Sequence, residues 1–528
     1  MMLLKARSFS GRRRRHAHLC LVVLLFGALL VTAAASSLWP PQGPRVVVGV
    51  VRAPDGRPVS GAIVSLQGTA VRTRTGTDGA FRLLVPRRPM LRIAAAQPGY
   101  FNTVASVSDD RLTLTLHPLP EGGSNYRWID PHPSTAEPHA CGSCHVELYR
   151  EWVASAHATS AINDRFLGVL YGPAQPPAST DTMWAFFRDR PDARAVCAPC
   201  HLPQAALGDP AMEDPLRLVG TAREGIHCDL CHKVTDVHAD RLPLQHGIHA
   251  MELLLPRGKE QVFLGPLPDA ACNGDAYSPV YEAASYCAAC HEGTLFGTHV
   301  YRTYSEWLAS PAAREGKTCQ SCHMAPPQRR RNVARGHVGI DRPPATLSTH
   351  RFPGGDDERL LRDALQLALE VQQVERDRVV ACVSVRAQLT GHRLPTGFPQ
   401  RHLIVVVRAV DRHGNRLAPC SGPTLPAWVG YSSTLGVDLT EQRGIVIGRL
   451  FRDEHGQQPV PFWRAVQEHD TTLAPGEVVR FTVSFQLVHE RRGYVEAVVL
   501  YRRLYAALEK LHRWPSSERI VVRQRSSW

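Results

Sequence analysis

Cys141-Gly-Ser-Cys144-His145 is the first of five copies of one pentapeptide, followed by Cys197-Ala-Pro-Cys200-His201, Cys228-Asp-Leu-Cys231-His232, Cys287-Ala-Ala-Cys290-His291 and Cys319-Gln-Ser-Cys322-His323. C-x-x-C-H is the attachment motif of c-type haem: two thiols add to the porphyrin edge and the adjacent His falls under the iron. With 14 Cys and 25 His in 528 residues, chance supplies only about 0.02 copies of the pattern. The competing reading is a zinc-ribbon array, which pairs one C-x-x-C with another. An odd number of pairs, each followed by His, fits that poorly. The expected cofactors are five haem c groups, held by Cys141, Cys144, Cys197, Cys200, Cys228, Cys231, Cys287, Cys290, Cys319 and Cys322. His145, His201, His232, His291 and His323 are the expected proximal ligands.

Residues 1–35 read as a signal peptide. Arg12–Arg15 form a basic n-region, Leu19–Val31 an apolar core, and Ala33-Ala34-Ala35 a small-residue cleavage site. The apolar run is short for a span of about 20 residues, although an uncleaved anchor remains open. Because c-type haem is attached outside the cytoplasmic membrane, motif and leader both place the protein in the periplasm or outside the cell. Removing the six Lys/Arg of the leader takes the formal charge from +13 to +7. Five ferric haems with ionised propionates bring it to about +2. Neither this charge nor any aromatic-laced basic stripe argues for nucleic acid.

Short apolar runs at Val46–Val51, Ala62–Leu66, Phe81–Val85, Leu91–Ala95 and Leu112–Leu116 are broken by turns such as Pro54-Asp55-Gly56 and Thr77-Asp78-Gly79. They predict a small β-sandwich over 45–117. Gly56-Arg-Pro-Val-Ser-Gly61-Ala-Ile-Val64, the Thr77-Asp78-Gly79-Ala-Phe81 turn and Pro98-Gly99-Tyr100 resemble the carboxypeptidase regulatory-like fold. The resemblance implies a prealbumin-like sandwich without peptidase activity, serving either to dock or simply to solubilise. Residues 118–140, rich in Pro and Gly, read as a linker in which His132 and His139 are solvated.

The motifs fall within 141–355, about 37 residues per haem, near the size below which a chain needs metals or crosslinks to fold alone. The haems are therefore expected to form most of this domain's core, with short helices and little sheet, and the apo-domain is expected to be unfolded. Each iron needs a distal ligand from elsewhere, usually His or Met. Trp152-Val-Ala-Ser155-Ala-His157 resembles a segment of multihaem cytochromes such as the tetrahaem acceptor of hydroxylamine oxidoreductase, which implies that His157 is a distal ligand. A partial repeat, Trp307-Leu-Ala-Ser310-Pro-Ala312, has lost the His. Trp152 and Trp307 read equally as porphyrin-packing or ordinary core residues. His350, in Thr349-His350-Arg-Phe352-Pro-Gly354-Gly355, is a distal candidate by the same resemblance. His249, His337 and His246 are weaker candidates, His227 and His299 read as loop residues, and His238 has no informative context. Met324 follows the last motif too closely to reach the far face of its own haem, and Cys272 reads as a free buried thiol.

Asp356–Val374 carries apolar residues at Leu360, Leu361, Ala364, Leu365, Ala368, Leu369 and Val371, which predicts a bridging helix over 356–374. Residues 378–525 read as a second β-sandwich, with strands at Val379–Val385, Leu403–Val410, Gly444–Leu450, Val478–Leu487 and Val495–Tyr501. Cys382 and Cys420 are candidates for a disulfide, and His402 reads as a surface or packing residue. Gly391-His392-Arg-Leu-Pro395-Thr396-Gly397 resembles a segment found after the motifs in multihaem cytochromes with a β-rich C-terminal domain. The resemblance implies that His392 reaches back to an iron; the alternative is a structural turn His.

Taken together, the chain resembles bacterial multihaem (pentahaem) c-type cytochromes: a multidomain protein of β-sandwich, haem domain and β-sandwich. The leading reading is an electron carrier between redox proteins, whose membrane contact comes only through partners or a retained leader. The alternative is an oxidoreductase acting on nitrite, hydroxylamine or a sulfur oxyanion at one open haem, and a third class is a cell-surface binding module.

Overall fold

Seven strands open the computed structural model, which describes residues 43–528 apart from 136–137, 175–183, 209–213, 259, 273, 336–338, 375–376 and 488–491. The leader and His337 lie outside the described residues. β1 (Arg45–Arg52), β2 (Ile63–Leu66), β3 (Arg72–Arg74), β4 (Ala80–Val85), β5 (Arg92–Ala96), β6 (Thr103–Ser106) and β7 (Arg111–Thr115) form two sheets, ordered β4-β1-β7 and β3-β2-β5-β6. β1 pairs antiparallel with β4 and parallel with β7. Val47, Val51, Val64, Leu66, Phe81, Leu83 and Leu114 fill the core between the sheets. This module is fastened to later residues: Gly68 N–H donates to Asp269 Oδ2 at 2.7 Å, and Asn102 Nδ2 donates to Ala270 O at 2.7 Å. Asp269 is itself held by the buried Arg342 guanidinium.

The stretch read as a linker is anchored on the third motif. Tyr126 Oη donates to Asp229 Oδ2 at 2.8 Å, and Ile129 N–H donates to the same oxygen at 2.9 Å. His132, expected to be solvated, bonds Tyr149 Oη at 2.8 Å and Glu224 Oε2 at 2.7 Å.

From Cys141 to Gly355 regular structure is short. Helices of one or two turns alternate with two-stranded pairings such as Glu292–Leu295 with Thr298–Arg302. Some of their apolar clusters are small, for example Ala161, Ala198, Leu202, Ala205 and Leu218; a larger one, with Leu170, Trp184, Phe186, Phe187, Leu295 and Val300, is shared with Phe451, Phe462 and Trp463 of the C-terminal part.

The bridging helix is shorter than the sequence pattern predicts. Asp357 caps Leu360 N–H at 2.9 Å and the helix runs Glu358–Ala364; residues from Leu365 to Val374 are a strand, β8. The same residues satisfy two periods. Leu361, Ala364 and Leu365 fit a helix, but Leu365, Leu367 and Leu369 also alternate with the exposed Gln366 and Glu370. Pairing with the next strand decides for the second period.

β9 (Arg378–Ala387), β10 (His402–Asp411), β11 (Pro419–Ser421), β12 (Gly444–Arg452), β13 (Gln467–Asp470), β14 (Val478–Gln486), β15 (Gly493–Arg502) and β16 (Arg519–Ser527) complete two facing sheets, β8-β9-β14-β11 and β13-β12-β10-β15-β16. β10 is buried on both faces: Leu403, Val405 and Val407 join the inter-sheet core, while Ile404 and Val406 pack with Leu425, Val429 and Leu500 behind it. Cys382 on β9 and Cys420 on β11 are free. β14 runs between their strands, so two sheet spacings, about 9–10 Å, separate them, beyond the reach of about 7 Å that a disulfide allows.

Candidate haem centre

Each motif winds into one helical turn: Cys141–Cys144, Ala198–His201, Cys228–Cys231, the end of Ser285–His291, and Cys319–His323. In such a turn residues three and four apart share a face, so two thiols and one imidazole project together. The turns are capped locally. His227 Nδ1 accepts from Leu230 N–H at 3.2 Å, and Thr318 with Ser321 forms a capping box. His227, read from sequence as a loop residue, is fully buried, with Nε2 bonded to Gln204 Oε1 at 2.8 Å. His299 bonds Glu292 Oε1 at 2.7 Å.

Four motif imidazoles are oriented by backbone carbonyls. Nδ1–H donates to Val333 O from His145 (2.7 Å), to Ser160 O from His201 (3.2 Å), to Leu264 O from His232 (2.6 Å) and to Pro353 O from His323 (2.7 Å). Such a bond fixes the tautomer and leaves Nε2 as a lone-pair donor, the usual outer support of a metal-bound His.

Three motif imidazoles face a second imidazole. Ring centres are 6.4 Å apart for His291 and His157, 6.4 Å for His232 and His350, and 6.3 Å for His323 and His392. These separations are too long for ring stacking or a hydrogen bond. Two imidazoles on opposite sides of one metal, each with a metal–nitrogen bond of about 2.0–2.1 Å and a ring centre about 1.1 Å behind the nitrogen, stand about 6.2–6.4 Å apart. Desolvation by the surrounding chain pushes the pKa of His157 and His392 to about 4 and of His350 to about 3, with neighbouring imidazoles adding to it at His350 and His392. These rings are neutral at pH 7, the form that ligates. The donor set fits a c-type haem at each of the three pairs.

The partners arrive from three directions. His157 follows the helix Val146–Val153, which is held by Trp152 Nε1 donating to Ile226 O at 2.9 Å. His350 is held through its own N–H to Glu151 Oε2 at 2.8 Å, and Glu151 pairs with Arg330 at 3.0 Å. His392 comes from the loop between β9 and β10, with Nδ1–H donating to Arg393 O at 2.9 Å. That loop lies on the partial repeat: a Cβ on Gly391 would stand 3.6 Å from Ala312 and 3.7 Å from Trp307.

His145 and His201 face no second imidazole at this spacing among the described residues; Phe166 stacks on His201 at 4.1 Å. His246 and His249 flank a turn that packs on the second motif, where a Cβ on Gly247 would meet Pro199 O at 2.3 Å. His249 is exposed, and neither is brought opposite a motif imidazole. Cys272, expected to be buried, is exposed.

The motifs cluster. Cys141 lies beside Cys228, Cys200 beside Cys290, and Cys287 beside Cys319. Tyr281 and Tyr286, beside the fourth motif, donate to Cys231 O of the third at 2.7 and 2.9 Å. The fourth motif therefore touches the second, third and fifth. Around the third, Lys233 and Asp229 form an ion pair of 2.6 Å with both side chains fully buried, and Lys233 Nζ also donates to Val262 O at 2.6 Å. Sequence reading missed this pair, because a carboxylate and a lysine four apart are usually a solvated face.

A solved structure described as a penta-heme cytochrome c552 from Thermochromatium tepidum superposes with TM-score 0.54 and 20% identity, covering 74% of this chain and 97% of its own. The chain has the fold of a multihaem c-type cytochrome. The Fcho1 Mu homology domain from Danio rerio with bound Eps15 peptide superposes only at TM-score 0.13 with 12% identity, over 27% of this chain and 39% of its own, and bears on nothing. No family profile and no curated protein sequence matches. Among the described residues no helix is long and apolar enough to cross a membrane.

Proposed function

We propose that the protein is an exported electron carrier with five covalently attached haem c groups, exchanging electrons with other redox proteins in the periplasm or outside the cell. The observation that carries this reading is the set of three imidazole pairs at 6.3–6.4 Å. Haem iron supplies one-electron redox chemistry; the chain supplies attachment, axial nitrogens and burial. Carbonyl acceptors behind the motif imidazoles fix which nitrogen is presented. In this reading His157, His350 and His392 would hold the iron from the side opposite the motif imidazoles, leaving no position for substrate there. Two neutral imidazoles favour a lower potential than a His/Met pair, and the scarcity of Met agrees, with 7 in the chain.

The alternative, an oxidoreductase acting on nitrite, hydroxylamine or a sulfur oxyanion, draws on one observation: His145 and His201 lack a facing imidazole among the described residues. Electron paramagnetic resonance of the ferric protein, with and without added nitrite or hydroxylamine, separates the two. The carrier reading expects five low-spin, inert centres; a high-spin centre that shifts on ligand addition decides for the enzyme. Replacing His392 with Ala is expected to turn one low-spin centre high-spin, and an unchanged spectrum removes His392 from the ligand set.

A further inference from the structure

Tyr149-Arg-Glu151-Trp152 and Tyr304-Ser-Glu306-Trp307 open the two copies of the partial repeat. They fold alike. Each Glu-Trp pair lies on a short helix, Val146–Val153 in one copy and Thr303–Leu308 in the other. After each helix a serine N–H turns back, Ser155 to Trp152 O and Ser310 to Trp307 O, both at 2.8 Å. The copies then diverge. His157 faces His291 in the first, and Ala312 stands at the matching position of the second. What the copies share is therefore the Glu-Trp pair and not the ligand.

Each tryptophan holds the approach to a motif. Trp152 Nε1–H donates to Ile226 O at 2.9 Å, two residues before Cys228, and Trp307 Nε1–H donates to Lys317 O at 2.8 Å, two residues before Cys319. Each glutamate holds a different segment. Glu151 Oε2 accepts the N–H of His350 at 2.8 Å, and its other oxygen pairs with Arg330 at 3.0 Å. Arg330 in turn donates to Ser348 O at 2.6 Å, on the same segment. Glu306 Oε2 accepts the hydroxyl of Thr396 at 2.6 Å, in the loop that carries His392, and its other oxygen faces Arg302 at 3.5 Å. In each copy the segment held by Glu carries the imidazole that faces the motif held by Trp. His350 faces His232 at 6.4 Å, and His392 faces His323 at 6.3 Å. Neighbouring residues on a helix point about 100° apart, so one short turn reaches both sides of one imidazole pair.

We propose that Glu151–Trp152 and Glu306–Trp307 are positioning pairs that set the spacing of the axial imidazoles at the third and fifth motifs. This rests on the reading of the facing imidazoles as iron ligands. Metal–nitrogen distances tolerate about 0.2 Å, while 117 positions separate His232 from His350 and 68 separate His323 from His392. Chain of that length fixes no such distance by itself; a dipeptide bonded to both sides does. Both carboxylates are largely shielded from water, with side chains 19% and 7% exposed, and hydrogen bonds to an ionised acceptor are the stronger kind. In this role neither Glu nor Trp touches the iron: each acts through the ring or the motif it holds.

The test is electron paramagnetic resonance of the haem-loaded ferric protein, with the rate of cyanide binding as a second readout. His350→Ala and His392→Ala first mark the low-spin signal that belongs to each pair. Glu306→Ala, Trp307→Phe and Thr396→Val are expected to shift the signal marked by His392→Ala; Glu151→Ala and Trp152→Phe are expected to shift the one marked by His350→Ala. Cyanide binding at the marked haem is expected to quicken about tenfold, the usual size of an outer-partner loss. Glu306→Gln, which keeps an oxygen for the Thr396 hydroxyl, is expected to restore the wild-type rate. In the His392→Ala background Glu306→Ala is expected to change nothing further. Thr396→Val keeps the shape of its side chain and decides the matter if Glu306→Ala fails to take up haem. Wild-type signals and cyanide rates in Thr396→Val and Trp307→Phe overturn the positioning role, and so do shifts in other signals while the marked one stays in place. Unchanged signals in His350→Ala and His392→Ala overturn the ligand reading itself.

Discussion

In the C-terminal sandwich Val379, Val383, Val385, Leu403 and Val405 are fully buried and touch other apolar side chains. Across residues 141–355 and the loop carrying His392, three pairs of imidazoles stand 6.3–6.4 Å apart, and a fully buried Lys233–Asp229 pair lies at the third motif. One region closes on its own side chains. The other has interior surface lined with nitrogen and sulfur donors, and its largest apolar cluster, around Trp184, Phe186 and Phe187, is completed only by Phe451, Phe462 and Trp463 of the sandwich. The contrast teaches that the two regions depend on different things: the sandwich on apolar area, the motif region on what its donors bind and on polar groups being matched.

The largest expected effect follows from that contrast. Replacing the motif cysteines with Ala, so that no haem is attached, is expected to make residues 141–355 protease-sensitive while 378–525 survives as a resistant fragment. Limited proteolysis with fragment mass analysis reads this, and equal resistance of both regions breaks the comparison. Next comes the buried ion pair. Lys233→Met leaves Asp229 buried and uncompensated and is expected to cost about 3–5 kcal/mol; the double variant Lys233→Met/Asp229→Leu should recover most of it. Denaturant unfolding of the haem-loaded protein measures both.

Leu403→Ala should cost about 2–5 kcal/mol by cavity formation while leaving the haem absorbance spectrum unchanged. A changed spectrum would show that the sandwich core is coupled to the axial ligands. The smallest effect concerns His402, which is 1% exposed and donates Nδ1–H to Gln400 O at 2.7 Å. Burial lowers its pKa to about 4. The folded pKa lies below that of the unfolded chain, about 6.5, so the unfolded state takes up the proton first. This share of stability is present above pH 6.5 and is lost as pH falls toward 4, by up to about 3 kcal/mol. His402→Phe should flatten the pH dependence of sandwich unfolding between those limits, and an unchanged slope rules out His402 as its source.

The motifs were legible because attachment chemistry demands adjacent residues: two thiols three apart and an imidazole next to the second. His157, His350 and His392 were legible only through resemblance, since nothing in their local sequence states which imidazole they will meet. His249, near a motif in sequence, is exposed, because nearness in sequence does not set which way a side chain turns. The Lys233–Asp229 pair was invisible for a related reason: burial is a property of what packs above a helical turn, here Tyr126 and Val262, which are distant in sequence.

Alone, the sequence determined the five donor sets, the β-rich character of both ends and the turns between their strands, because these follow from spacing and periodicity within a few residues. Tertiary structure decided where Leu365–Val374 changes from helix to strand, since its residues satisfy both periods and only the neighbouring strand breaks the tie. It also decided that Cys382 and Cys420 stay apart, because β14 enters the sheet between them. Above all it decided which imidazoles meet, bringing His392 from another domain to within 6.3 Å of His323. Pairing across 68 intervening positions is set by how the loop between β9 and β10 packs on Trp307 and Ala312, and packing at that range leaves no pattern in a single sequence.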